Sequence, residues 1–491
     1  MKPAAPAVQA GPHKGWTIAL ASLGLFMAAL DGLVVTTSLP ALRLSLNASL
    51  ADLEWIVNAF TLALACLILF GASLGDRFGR RRMYAVGLAI FTAFSALAAL
   101  SPNVGVLIVA RVGQGIGAAM VMPLSLTLIS DAFPAEKRGA AIGLWGGVGG
   151  AAVAFGPVIG GAVVQGLTWE WIFWLNVPVG LVLIPLSLRK LTESYGPAKH
   201  LDVGGLILSV LALFGLTWGL VKVSDSGWGS AAVIVPLVLG AVFVVVFVIY
   251  EARRKIPMVK VSLFRGRGFT TGVLVNFFMF AALFGAEFLM AQFLITGLGN
   301  SPLQAGLKLL PWMATAMFVA PIAGAMSEKF GNRPFMAVGL LLSSGGMFWI
   351  AAIAAPGMGY LVMGIALLLS GVGISLVFPT VANAVVSSVA PQDIGVASGT
   401  STMMQQVGGA FGVALIASVF AAGNEYSSPQ AFVDSFSTAI LVPAILSALG
   451  AAVALASPGI AAIRAAAARR AASMPAPPAS VIGTAEEEQA A

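Results

Sequence analysis

The chain has 491 residues, 59% of them hydrophobic and 9% charged, with a formal net charge of +7. An ordinary soluble domain carries about 25% charged residues, and no water-soluble core absorbs such an apolar excess. The basic residues fall in alternate loops rather than in one patch, which speaks for membrane topology and against nucleic-acid binding.

A hydrocarbon core about 30 Å thick takes about 20 apolar residues per helical span. Such runs lie near 16–38, 53–73, 84–100, 105–127, 140–163, 171–189, 203–221, 230–250, 270–296, 304–326, 335–354, 360–385, 395–420 and 433–455. They are continuous rather than alternating, and helices satisfy their own backbone polar groups inside lipid, so the expected fold is an all-α polytopic membrane protein.

Residues 1–15, with Lys2 and Lys14, form a basic start. The first run could pass for a signal peptide, but it carries Asp31 and continues to Pro40, so it reads as an uncleaved span. Cys66, the single cysteine, lies inside the second span, where it fills space and has no intrachain partner. Arg77, Arg80, Arg81 and Arg82 follow the second span, Lys137 and Arg138 the fourth, and Arg189, Lys190 and Lys199 the sixth. Arg253, Arg254, Lys255, Lys260, Arg265 and Arg267 separate the eighth from the ninth, Lys329 and Arg333 follow the tenth, and Arg464, Arg469 and Arg470 follow the last. Opposite loops keep little beyond Arg43 and Lys222. The positive-inside rule then puts both termini in the cytoplasm and requires an even number of spans.

The expected division is a six-helix bundle over 16–189, a linker with two inserted spans over 190–250, a basic cytoplasmic loop over 251–269, and a second six-helix bundle over 270–455. Residues 456–491 are rich in Ala and Pro, end near Glu486, Glu487 and Glu488, and read as a disordered cytoplasmic tail. An internal repeat supports the two halves. ASLGDRFGRR at 72–81 matches GAMSEKFGNR at 324–333, which pairs Asp76 with Glu328 and Gly79 with Gly331 at an offset of 252. Asp31 pairs with Glu287, Gly139 with Gly395 and Gly143 with Gly399 at an offset of 256.

Ionisable groups are rare within the spans, and each is a functional candidate because burying it in lipid is costly. Asp31 lies past the midplane of an outward-running helix, where a carboxyl group can load and release a proton as the site alternates between faces. The alternative is a structural carboxylate bonded to Thr36 or a neighbour. Glu287 has a comparable depth in the second half, so two carboxylates can face one central cavity, which suits proton coupling or a cationic drug; the alternative is a glutamate reaching external water. Arg111 lies near the depth of Asp31 and can pair with a carboxylate. Lys308, near a span end, can snorkel to the interface. Asn58, Phe60, Gln114, Phe284 and Gln292 are polar or aromatic candidates for a cavity lining, with core packing as the alternative.

LDGLVVTTSLP at 30–40, LEWIVNAFTLALA at 53–65, LIVARVGQGIGAA at 107–119, GPVIGG at 156–161 and WEWIFWLNVPVG at 169–180, with the loop motif at 72–81, resemble signatures of the major facilitator superfamily. Within it they are similar to the drug:proton antiporters with fourteen spans, over about residues 16–455. The loop departs from the family pattern in beginning with Ala72, Gly71 standing one position early, and its second copy has Glu328 and Lys329 for aspartate and arginine.

The resemblance implies a major facilitator fold, two six-helix bundles plus two extra central helices, and a proton-coupling role for Asp31 and Arg111. It marks Gly75, Asp76, Arg77, Gly79, Arg80 and Arg81, with Glu328, Lys329, Gly331 and Arg333, as a cytoplasmic gate motif. There a carboxylate can hold a helix N-terminus or an arginine of the other half when the inside is shut; the alternative is that the arginines set topology. It associates Gly156, Pro157, Gly160 and Gly161 with antiport, where close helix packing is the alternative. Proton-coupled export of drug-like molecules across the inner membrane, by a monomer, is the implied function. Residue chemistry by itself leaves open an uptake symporter, a lipid flippase and a sensor. An enzyme is not expected: His13 and His200 sit outside the spans, and no metal-ligand cluster or nucleophile–base pair is recognisable. No GxxxxGK[ST] loop occurs, so an ion gradient rather than ATP is the expected energy source, with no cofactor.

Overall fold

A computed structural model of the chain describes residues 14–133, 135–196, 202–254, 257–390, 393–422 and 428–459. His13, His200, most of the N-terminal segment and the tail from residue 460 on lie outside the described residues. Fourteen helices are long and apolar enough to cross a membrane, and no strand occurs among the described residues. They are α1 (Lys14–Leu46), α2 (Leu50–Phe78), α3 (Arg80–Ala99), α4 (Val104–Ala132), α5 (Ala135–Gly166), α6 (Trp171–Lys190), α7 (Val203–Ser226) and α8 (Ala231–Arg253). The second half holds α9 (Arg267–Gly297), α10 (Pro302–Ser327), α11 (Asn332–Ile353), α12 (Tyr360–Ser387), α13 (Ile394–Ala421) and α14 (Gln430–Leu455).

Local sequence fixes many of the boundaries. Ser49 and Asp52 form a reciprocal capping box at the start of α2, as do Ser301 and Gln304 at the start of α10, where Pro302 takes the first helical position. Gly79 (φ 106°) and Gly331 (φ 84°) make the tight turns after α2 and α10, in a backbone region where a side chain is strained. The first span runs on to Leu46, well past the expected end near residue 38, because Pro40 sits inside the helix instead of stopping it. Within a bundle, neighbouring helices tolerate the bond a proline removes. Pro443 does interrupt α14: it has no N–H for the Ala439 carbonyl, and the helix breaks at Ile440. The far end of α9 widens into a turn over Phe293–Gly297, closed by the Leu298 amide on the Phe293 carbonyl.

The helix pairs of the first half recur eight helices later. Contacts α1–α4, α1–α6, α2–α4, α3–α4 and α3–α6 are matched by α9–α12, α9–α14, α10–α12, α11–α12 and α11–α14. Between the halves, α5 lies on α10 and α2 lies on α13. The inserted α7 packs on α8 and on the α2–α13 seam, through Leu220 and Val221 against Ala51 and Ala414.

Two ends are distinguished by charge. Helix α1 starts and α2 ends at what is here called the basic end; α1 ends and α2 starts at the far end. The largest apolar cluster joins Val34, Leu39 and Leu42 of α1 with Leu283, Leu289 and Leu309 of the second half, closing the far end. At the basic end one face of α5 is uncovered. Leu144 is 55% exposed there, and a methyl group added at Gly146, Gly147 or Gly150 would meet nothing within 4 Å. The seam between α2 and α13 stays closed, with Leu69 filling the space above Gly399.

Candidate functional site

Asp31 and Arg111 are an ion pair sealed in the first half, 3% and 1% exposed. The pair is dressed on every side. Gln114 donates to Asp31 Oδ1 at 2.9 Å and to Ser95 at 2.8 Å, and Asn176 donates to the same carboxylate oxygen at 2.7 Å. Arg111 gives its other hydrogens to the Gln114 side-chain oxygen at 2.9 Å and, from Nε, to the Ile56 carbonyl at 3.1 Å. Its guanidinium lies 4.4 Å from the centre of the Phe60 ring. One fixed charge of each sign, with partners from α2, α3, α4 and α6, binds α1 into the half as a rigid body. Ser95 and Asn176 were not among the sequence candidates. Asn176, inside WLNVP in an apolar span, carried a readable signal, whereas a lone serine in a helix does not.

Glu287 sits on α9, 2% exposed, across the seam from α1. Its hydrogen-bonding contact is Thr36, whose Oγ1 lies 3.4 Å from Oε1. Thr36 is five residues, about 7.5 Å of helix, beyond Asp31. Thr36 therefore meets the second-half carboxylate, and Asp31 is held by other donors. Neither carboxyl opens onto solvent in this conformation.

The gate-motif residues cluster at the basic end. Arg80 bonds Asp76 at 2.8 Å and Asp131, at the end of α4, at 2.5 Å. Arg81 and Arg82 each approach Glu193 at 3.5 Å. The segment after α6 is tied on by backbone bonds, the Arg80 amide to Ser194 and the Gly196 amide to Asp76. All these partners belong to the first half. Asp131, Glu193 and Ser194 escape a reading confined to the motif, because they are distant in sequence. In the second copy Lys329 and Arg333 are exposed, and Asn332 accepts from Asn383 at 3.1 Å. The Glu328 side chain lies outside what the structure describes.

Gly160 and Gly161 let α5 touch its neighbours backbone to backbone, and Gly156 makes room for the Leu33 side chain. A methyl group at Gly160 would come within 2.7 Å of the Val34 carbonyl of α1, and one at Gly161 within 2.9 Å of Leu303 Cα of α10. Gly306 returns the contact, with Val158 Cα 2.8 Å from the same added atom. Pro157 lies between them inside α5. Phe284 stands edge-on to Phe280 at 5.5 Å, and Gln292 folds back on the Phe288 carbonyl at 2.9 Å. Asn58 is wholly buried with neither amide atom hydrogen-bonded, an arrangement that is costly without a ligand or water.

The sequence profile described as Major Facilitator Superfamily matches residues 21–413 and 272–482. The chain belongs to this superfamily. It is a multi-pass membrane protein of a transporter family. It is 35% identical over 403 residues to the tetracenomycin C resistance and export protein of Streptomyces glaucescens, covering 82% of this chain and 74% of the relative. It is 34% identical to the cephamycin export protein of Amycolatopsis lactamdurans, covering 84% and 86%. Among solved structures, a POT family transporter bound to a thioalcohol-conjugated peptide superposes with a TM-score of 0.68, at 14% identity over 91% of this chain and 97% of that one. A D-xylose–proton symporter gives 0.64, at 16% identity over 90% and 98%. At such identities the likeness is one of fold, and this major facilitator chain adds a helix pair to the two six-helix bundles.

Proposed function

We propose that the protein exports antibiotic- or drug-like molecules across the cytoplasmic membrane in exchange for protons. The first and second bundles alternate access to a central site, with the termini and basic end in the cytoplasm. The observation that carries this reading is the placement of Asp31, Arg111 and Glu287: three buried ionisable groups, the carboxyls on α1 and α9, which meet between the halves, and the arginine paired with Asp31. Such groups persist in a lipid-embedded core when they handle an ion or a substrate. Relatives at about a third identity carry resistance and export in their names, which favours outward movement of an antibiotic. The uncovered face of α5 at the basic end lies on the side from which an exporter loads. The unbonded amide of Asn58 offers a polar contact to a substrate, and Phe60 and Phe284 offer aromatic surface. Gly156, Pro157, Gly160 and Gly161 let the far end seal while the basic end is open. The gate motif around Asp76 and Arg80 is then in its released state, its charges satisfied within one half, and a single chain supplies every part.

Proteoliposomes with an internal pH dye and an acidic lumen test the reading. Adding a transported antibiotic outside should drive protons out, and Asp31→Asn should abolish that flux. Silence across a broad panel of cationic and neutral antibiotics, with correctly folded protein, would overturn it in favour of a metabolite, lipid or nutrient transporter.

A further inference from the structure

The inserted helix pair carries two buried carboxyl groups at its basic end, Asp202 capping the start of α7 and Glu251 in the last turn of α8. The Asp202 side chain is 8% exposed and Glu251 is 1% exposed. One oxygen of each is well supplied. Asp202 Oδ1 accepts from the Gly205 amide at 2.9 Å and the Tyr250 hydroxyl at 3.2 Å, with Arg254 at 3.6 Å, and Glu251 Oε2 accepts from the Val259 amide at 3.0 Å. The other two oxygens, Asp202 Oδ2 and Glu251 Oε1, are buried without a donor. They turn to the same spot: a methyl group added at Gly205 would lie 3.2 Å from the first and 2.3 Å from the second. The two carboxyl groups are within hydrogen-bonding reach of each other. Two bare oxygens bond only if one of them brings a proton, and two ionised carboxylates repel at this distance in a buried place.

Among the described residues no cation reaches the bare oxygens. Arg254 stands on the opposite oxygen of Asp202 and lies 5.3 Å from the centre of the Tyr250 ring. Lys260 bonds Asp393, just before α13, at 2.8 Å. Arg253, Arg265 and Arg267 are exposed. On α2, Asp76 is held by Arg80, and Arg77 lies over the Phe78 ring. Helix α13 carries no charged residue, and Lys222 and Asp225 stand at the other end of α7, about 30 Å of helix away. His200 and Lys255, close by in sequence, lie outside the described residues.

We propose that Asp202 and Glu251 share one proton and form a pH-sensitive latch, which holds the strap over residues 257–260 on the inserted helix pair and lets it go when the proton is lost. With the proton in place, Glu251 donates to Asp202 and still accepts from the strap. When the proton passes to water at the basic end, the two carboxylates part. Asp202 is the better anchored, by an amide, a hydroxyl and a guanidinium, so Glu251 is the group that turns out to solvent and drops the Val259 amide. The residue after Val259 is Lys260, whose bond to Asp393 carries the state of the pair to the start of α13. The inserted helices thereby report the pH at the basic end to one wall of the α2–α13 seam. The latch is independent of what the protein transports.

Hydrogen exchange of the full chain in nanodiscs tests this without a substrate, on a background of His200→Gln and Lys255→Gln so that neither side chain titrates nearby. The readout is the protection of the Val259 amide, corrected for the rise of chemical exchange with pH. From about pH 5 to 9 protection should fall by about tenfold or more, the worth of one hydrogen bond to a charged group. Glu251→Gln, whose amide donates to Asp202 and whose carbonyl accepts from Val259, should stay protected throughout. Asp202→Asn keeps the helix cap and offers its amide to the ionised Glu251, so it should stay protected as well. Glu251→Ala has no acceptor and should be unprotected at every pH. Exchange in the first turn of α13 should follow Val259 in the parent and lose its pH dependence in Lys260→Gln. Protection indifferent to pH in the parent, or either amide variant releasing along the parent curve, would overturn the latch. So would protection restored at pH 8 by magnesium chloride and not by choline chloride, which would make the pair a metal site. If the glutamine variant does not fold, the asparagine variant decides alone. An α13 that ignores release at Val259 would overturn the coupling to the seam.

Discussion

Arg80 of the first half meets Asp131 at 2.5 Å, and 252 positions later Asn332 and Asn383 meet at 3.1 Å. The two pairs join equivalent helices, α3 to α4 and α11 to α12, beside equivalent glycine turns at Gly79 and Gly331. One copy is an ion pair and the other a pair of neutral amides. The contrast recurs in the membrane core, where the carboxylate of Asp31 has a guanidinium and two amides while that of Glu287 has one hydroxyl. Helix contacts are thus kept between the halves while their electrostatics diverge. The paired charge of Asp31 is braced by its partners, whereas the buried carboxyl of Glu287 has no cation against it among the described residues.

The largest effect should come from breaking the braced side. Asp31→Asn leaves Arg111 as an uncompensated buried cation, a loss on the order of 3–5 kcal/mol. Glu287→Gln leaves no charge behind and should change stability by about 1 kcal/mol or less. Denaturant unfolding in mild detergent compares them, and a glutamine variant as unstable as the asparagine one would end the distinction between the halves. Combining Asp31→Asn with Arg111→Gln should recover much of the stability but not the proton flux.

Next come the reciprocal glycines of the α5–α10 seam. Gly161 faces the α10 backbone and Gly306 the α5 backbone, so an added methyl meets main chain that cannot swing aside. Gly161→Ala and Gly306→Ala should each disfavour the far-end-closed state by roughly 1–3 kcal/mol, seen as greater separation of spin labels placed on Leu44→Cys and Leu361→Cys, exposed at the far ends of the two halves. Near-equal effects would show that both halves form the seam alike. A large effect at one glycine and none at the other would assign the seam to one half.

Fourteen spans, their order and the buried Asp31, Arg111 and Glu287 are legible in the sequence, because lipid enforces long apolar runs and makes each charge within them conspicuous. The partners of those charges are less so. Gln114 follows Arg111 within one helical turn and could be placed beside it, but Asn176 reaches Asp31, and Ser95 reaches Gln114, from other helices. Spacing along one chain segment does not say which faces of α3 and α6 turn inward. The repeat held more than the loop motif reveals: the offset that pairs Asp76 with Glu328 also pairs Asp131 with Asn383. That match looks like a mismatch in charge, and its meaning emerges only when Asn332 is seen opposite it. The contact of Thr36 with Glu287 is legible only in space, since α1 and α9 belong to different halves of the chain.

The smallest effect tests the opening contrast itself. Arg80→Asn with Asp131→Asn turns the first copy into the chemistry of the second, where a carboxylate, Glu328, likewise precedes the asparagine by four positions. Arg80 is 12% exposed and Asp131 38%, so solvent weakens the ion pair, and the double exchange should cost about 1 kcal/mol or less. Arg80→Asn alone should cost more, because it leaves Asp76 and Asp131 near each other without their shared cation. The double variant should also lose salt dependence in its unfolding, since screening acts on the ion pair and not on amides. If the double exchange proves as harmful as the single one, the two copies are not interchangeable, and the charge of the first copy has a task beyond joining α3 to α4. That task would belong to the moving gate, whose ions must part and re-form in each cycle. Neutral amides would hold the resting geometry equally well but could not be drawn across the gap by charge.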